Sequence, residues 1–100
     1  MIIVYLEDEN GKREKKVLDT LMIIPKIVNS LNDHEIKLWG YIDLYGDTVF
    51  NYLQCKDLIR DSVLLTGHLN HEENVLLQQM IDLIREAQND RHMYIRFFGD

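Results

Sequence analysis

The sequence predicts an α+β fold: a small antiparallel or mixed sheet with about three helices packed mainly on one face. Three observations lead there. Short stretches with strand character stand near both ends, Ile2–Leu6 and His92–Phe98. Between them apolar residues recur at helical spacing, most clearly Leu76, Leu77, Met80, Ile81, Ile84 and Ala87. The composition is globular, with 46% hydrophobic residues, five Gly and one Pro in 100 residues. That length suits a single domain with one core, taken as residues 1–100.

Taken in order, Ile2–Leu6 is followed by Asn10-Gly11, a strong hairpin signal because both residues tolerate φ > 0. Folding back on that turn opposes Glu9 with Lys12, Asp8 with Arg13 and Val4 with Val17. The run KREKK (12–16) then reads as a neutralised hairpin tip beside Glu7, Asp8 and Glu9 rather than as a basic recognition patch. From Val17 the stripe Val17, Leu21, Ile24, Val28 and Leu31 predicts a helix within 20–31. Pro25 interrupts the stripe, so either a kinked helix starts near Asp19 or a short one begins close to Pro25. Asn32 and Asp33 would end it. Ile36–Ile42 alternates, which predicts a strand with Trp39 and Tyr41 on one side.

Asp43–Asp47 reads as a turn and Thr48–Phe50 as a short returning strand. A helix from about Tyr52 to Gly67 offers Leu58, Ile59 and Val63 to the core. Asn70 and Glu73 have the spacing of a capping box for the amphipathic helix that follows. The closing strand alternates Met93, Ile95 and Phe97 against Tyr94, Arg96 and Phe98. The expected order is hairpin, helix, hairpin, two helices, strand.

Charge and cysteine usage narrow the function classes. Seventeen acidic against eleven basic residues leave a formal charge of −6. This argues against non-specific nucleic-acid binding, which needs a basic surface, and would steer a basic partner toward the protein. Cys55 is the sole cysteine, so no intramolecular disulfide and no cysteine-based zinc site is available. One unpaired thiol fits a reducing compartment. The opening MIIVYLEDENGK has no basic segment before its apolar residues, and LMII before Pro25 is far too short for a membrane span. The expectation is a cytoplasmic protein with no membrane part and no cofactor.

Several side chains invite chemistry. His68 and His71 have an H-x-x-H spacing, but no HExxH is present, because Val75 stands four after His71. His34 and His92 have no neighbouring ligand in sequence. Cys55 has Lys56 and Arg60 nearby, which would lower a thiol pKa; as a lone Cys on an apolar helix face it also reads as a small buried hydrophobe. Asp43 and Asp47 flank DLYGD as an acid–base pair or as turn formers. Trp39, Tyr41, Tyr94, Arg96 and Phe98 occupy alternate positions of two predicted strands. If those strands pair, they form an aromatic face of the residue types that dominate protein interfaces.

The segments YIDLYGDTVFN, LQCKDLIRD and HMYIRFFGD give the chain from residue 36 onward a resemblance to a group of small bacterial proteins. Some of these resemble toxin-immunity proteins of the contact-dependent inhibition type. The resemblance implies a binding protein, not an enzyme, that occludes a cognate, basic, nuclease-type toxin domain. The expected contacts are Glu7, Asp8, Glu9, Asp43 and Asp47, with Trp39, Tyr41, Tyr94 and Arg96 as anchors. Two alternatives stay open: a small metal- or acid–base-dependent enzyme using Asp43 and Asp47 with His68 or His71, and a homodimeric structural or regulatory subunit.

Overall fold

The computed structural model describes residues 1–30 and 36–100. Strands β1 (Ile3–Asp8) and β2 (Arg13–Leu18) form the first hairpin, followed by helices α1 (Ile23–Ser30) and α2 (Lys37–Gly40). Strand β3 (Asp47–Phe50), helices α3 (Tyr52–Leu65) and α4 (His71–Gln88), and strand β4 (Met93–Phe98) complete the chain. The sheet is antiparallel throughout, in the order β2-β1-β4-β3, so the last strand fills the space between the hairpin and β3. This is the α+β class read from the sequence.

One sheet face builds the core. Val4 and Leu6 of β1, Ile95 and Phe97 of β4, and Phe50 of β3 join one apolar cluster with residues of all four helices. The α4 stripe Leu76, Leu77, Met80, Ile81, Ile84 and Ala87 lies in that cluster as its period requires. Asn70 and Glu73 make the reciprocal capping box: Glu73 N donates to Asn70 Oδ1, and Asn70 N donates to Glu73 Oε1, both at 2.9 Å. Asn51 and Gln54 open α3 in the same way.

Helix α1 settles the role of Pro25. The buried Asp19 carboxylate accepts from Ile23 N at 2.9 Å and Ile24 N at 2.8 Å. Pro25 has no N–H to satisfy, and Lys26 N reaches Met22 O at 3.4 Å. All the donors of the first turn are thereby accounted for. The helix is the short one, preceded by Met22 at a left-handed φ of 56°. Its buried residues are Ile23, Ile24 and Ile27, while Leu21 of the expected stripe is exposed and Val17 belongs to β2. Leu31, Asn32, Asp33 and His34 lie outside the described residues.

The expected strand over Ile36–Ile42 is instead the turn of helix α2, so there is no second hairpin there and β3 pairs with β4. Ile36, Trp39 and Ile42 are all buried, a spacing of three that a helical turn points one way and a strand does not. Trp39 sits at the centre of the core. Its Nε1–H donates to Leu58 O at 2.9 Å, and its ring meets Phe97 edge-on at 6.0 Å between centroids. Phe97 in turn meets Phe50 at 5.8 Å. Val63 was expected in the core but is exposed, because Cys55, Leu58, Ser62 and Leu65 define the inward face of α3.

Hairpin register also differs at its tip. Val4 opposes Val17 and Leu6 opposes Lys15 as expected, but a bulge then skips Glu14, and Glu7 opposes Arg13. An unbroken register would have set Glu7 against Glu14, two like charges face to face, which is destabilising. Asp8 turns its carboxylate onto the backbone N–H groups of Asn10 and Lys12, at 2.9 and 2.8 Å, and does not pair with Arg13. Gly11 takes the positive φ of 82° that closes the turn.

Two measurements check this account. Replacing Trp39 by Ala should cost about 3–5 kcal/mol in denaturant unfolding, whereas Tyr41→Ala, at an exposed position, should stay within about 0.5 kcal/mol. Burial raises the Asp19 carboxyl above its ordinary value, against the opposing pull of the Ile24 and Ile23 N–H groups. The folded state therefore holds this proton more tightly than the unfolded chain. Relative to Asp19→Asn, the wild type should gain stability as pH falls toward 3.8 and lose that gain as pH rises through the raised value.

Candidate functional site

The second face of the sheet takes no part in the core cluster. Cross-strand partners share a face, so the register assigns its residues row by row. Leu18, Ile3, Phe98 and Asp47 form the first row, Lys16, Tyr5, Arg96 and Val49 the second, and Arg13, Glu7 and Tyr94 the third. The first row is apolar up to Asp47, and the other two mix aliphatic or aromatic side chains with charges.

A line of ionic contacts ties the strands together. Glu7, with its side chain 5% exposed, is the centre. Arg96 Nε donates to its two oxygens at 3.0 and 3.1 Å, and Arg13 Nε donates to Oε2 at 3.1 Å. Arg96 Nη1 continues to Asp47 Oδ2 at 3.0 Å. The chain Arg13–Glu7–Arg96–Asp47 thus crosses β2, β1, β4 and β3 in sheet order. Hydrogen bonds to Glu7, more than the charge of Asp47, hold the Arg96 guanidinium above its ordinary pKa despite partial burial. Arg13 also lies 4.0 Å over the Tyr5 ring, a cation–π contact, with Phe98 at 6.0 Å.

The structure places the expected contact residues unequally. Glu7, Tyr94, Arg96 and Asp47 come together on this face. Trp39 does not: it is fully buried on the opposite side of the sheet, and the expected aromatic face shared with Tyr94 and Arg96 does not exist. Tyr41 follows α2, off the sheet, and is 75% exposed. Asp8 serves the hairpin turn, while Glu9 is exposed and holds His92 Nδ1 at 2.9 Å. Asp43 shapes the turn before β3, accepting from Tyr45 N at 2.9 Å while its own N–H donates to Thr48 Oγ1 at 2.8 Å. A Cβ on Gly46 would come within 2.6 Å of Asp43 Oδ2. Gly99 N donates to Gly46 O at 2.8 Å, and a Cβ on Gly99 would overlap the Leu44 carbonyl, so this turn is docked on the end of β4.

Sequence reading missed Tyr5 and Arg13 as part of the face. The alternation Ile3, Tyr5, Glu7 was a usable signal for Tyr5; the bulge concealed Arg13. The other candidate chemistries stay dispersed. His68 and His71 are exposed around the start of α4 and hydrogen-bond to neither aspartate, and among the described residues no three His, Cys, Asp or Glu side chains are grouped to hold a metal ion. Burial pushes the Cys55 thiol up to about 12, which leaves it a protonated core side chain at neutral pH. Among the described residues no helix is long and apolar enough to cross a membrane.

No family model, no curated protein and no solved structure matches this chain.

The ionic line should respond in a graded way. Glu7→Ala leaves two guanidiniums without their shared carboxylate and should cost roughly 3–5 kcal/mol. Arg13→Met removes only a half-exposed partner and should cost about 1 kcal/mol or less. Urea denaturation of both variants at fixed salt checks the order.

Proposed function

We propose that the protein is a binding protein of the immunity type, which neutralises a cognate toxin domain by covering its active site. The observation that carries this reading is the sheet face that the helices leave free, where Tyr94, Phe98 and Arg96 are partly exposed and Arg13 is exposed over the buried ring of Tyr5. Aromatic residues and arginine dominate the energetics of protein interfaces. The partner is a basic, nuclease-type domain, and the bacterial cytoplasm is where the two meet. The formal charge of −6 would steer such a domain toward the inhibitor. Asp47 at one corner of the face and Glu9 beyond the other end are the exposed carboxylates placed to meet lysines and arginines that otherwise grip phosphates. Trp39 has no part in the contact, and Glu7 acts through Arg13 and Arg96 by fixing where they stand.

The test is co-expression with a toxin domain encoded beside the gene, together with titration of the two purified proteins. A tight complex and loss of toxicity are expected. Exchanging Asp47 and Glu9 for lysine should slow association by about tenfold or more at low salt, with the effect shrinking as salt rises. Lethality that persists under co-expression, with no complex formed, overturns the reading.

A further inference from the structure

Beyond toxin binding, we propose that the outer edge of β3 takes an extended, basic segment of another polypeptide as an added strand of the sheet. This contact is made by backbone groups and does not rest on the toxin reading, whose contacts are side chains on the free face. The ladder between β3 and β4 determines which groups point outward. Gly99 N donates to Gly46 O at 2.8 Å, and Asp47, Thr48, Val49 and Phe50 then oppose Phe98, Phe97, Arg96 and Ile95 in turn. In an antiparallel pair the hydrogen bonds fall on every second pair of opposed residues. They therefore join Gly46 with Gly99, Thr48 with Phe97 and Phe50 with Ile95, and the N–H and C=O groups of Asp47 and Val49 turn away from β4. Among the described residues these outward groups have no hydrogen-bond partner, and both residues are exposed.

The two edges of the sheet differ. β2 is bent by its bulge and lined by Arg13, Lys15 and Lys16 against the single carboxylate of Glu14. β3 carries no bulge, no proline and no lysine, all of which keep a second strand off an edge. Large apolar side chains continue the β3 edge at both ends. Tyr45 in the turn before it and Leu53 in the first turn of α3 are exposed, as is Val49 within it. Donors and acceptors at two-residue spacing, flanked by apolar side chains, are complementary to the backbone of another strand. Charge selects which strand. From Tyr41 to Cys55 the only charged residues are Asp43 and Asp47. Asp43 has no cationic partner among the described residues, and Asp47 keeps a side chain 48% exposed beside Arg96. A strand rich in lysine or arginine is attracted here and repelled by the cations along β2.

β3 is only four residues long, so the contact is limited to a few backbone hydrogen bonds and belongs with weak, transient interactions. Its occupant is a segment without secondary structure of its own, because an edge pairs only with backbone groups that are not already paired.

Amide exchange followed by NMR tests this without any toxin, using a synthetic peptide of about eight residues that alternates valine and lysine. At about millimolar peptide the Asp47 and Val49 amides should shift and exchange more slowly by about threefold or more, while those of Lys16 and Leu18 on β2 stay as they are. A peptide alternating valine and glutamate should produce neither effect. Val49→Pro removes an outward N–H at an edge position, where proline is tolerated, and should weaken peptide binding, read at Asp47, by about tenfold. Val49→Thr keeps that N–H and should bind as the wild type does. Circular dichroism confirms that both variants are folded. Unchanged Asp47 and Val49 amides overturn the proposal, as does protection on β2 instead. Equal binding of the glutamate peptide, or a Val49→Pro variant that binds like the wild type, does the same. Slowed exchange that grows with protein concentration in the absence of peptide also overturns it, since a second copy then takes the edge. Failure here leaves the toxin reading standing, because that reading is measured by complex formation with a whole domain on the free face.

Discussion

The indole of Trp39 is the contact on which the remaining structure depends. Its N–H is committed to Leu58 O in the middle of α3, and its ring edge to Phe97 on the central strand β4. Phe97 passes the contact to Phe50 on β3. Three segments distant in sequence are thereby held at fixed distance: the turn of α2, the body of α3 and the far half of the sheet. A buried indole with its donor satisfied contributes large apolar area without the cost of an orphaned N–H. It also keeps α3 over β3 and β4, which leaves the helices on one side and the other side of the sheet uncovered.

The uncovered side is organised around a different solution to burial. Glu7 is a carboxylate at the middle of a sheet, and burying its charge is tolerable because two guanidiniums surround it. The arrangement fixes Arg13 and Arg96 in place within the chain itself. Side chains held in this way have already lost the entropy that free ones would lose in any later contact. The same ionic line ties β2 to β3 across the two strands between them, so the sheet is cross-linked on one side by charge and on the other by the aromatic stack.

Much of the fold was legible because its signals are local. The capping box of Asn70 and Glu73, the stripe of α4 and the alternation of β4 each need fewer than twenty residues to read, and each is found where the pattern puts it. The segment 36–42 defeated the same method because a single helical turn is too short to show its period. Within seven residues, Ile36, Leu38, Gly40 and Ile42 imitate a strand as well as Ile36, Trp39 and Ile42 describe a helix. The site was less legible than the fold. Glu7 and Arg96 are 89 residues apart, and nothing local to either announces the other. Asp47 was noticed for its neighbour Asp43, yet its partner is Arg96 on the adjoining strand.

The bulge that skips Glu14 has a consequence for how copies of the chain can assemble without limit. Strand β2 lies at the edge of the sheet, where unpaired backbone groups invite another strand and, through it, a growing fibril. A bulge bends and twists that edge so that a flat neighbour cannot follow it, and the exposed charged residues from Arg13 to Lys16 make the approach costlier still. Lateral growth is blocked at this margin while the broad side of the sheet stays accessible. The chain can therefore keep one side of its sheet free of helices without offering a straight, uncharged edge at β2 to its neighbours.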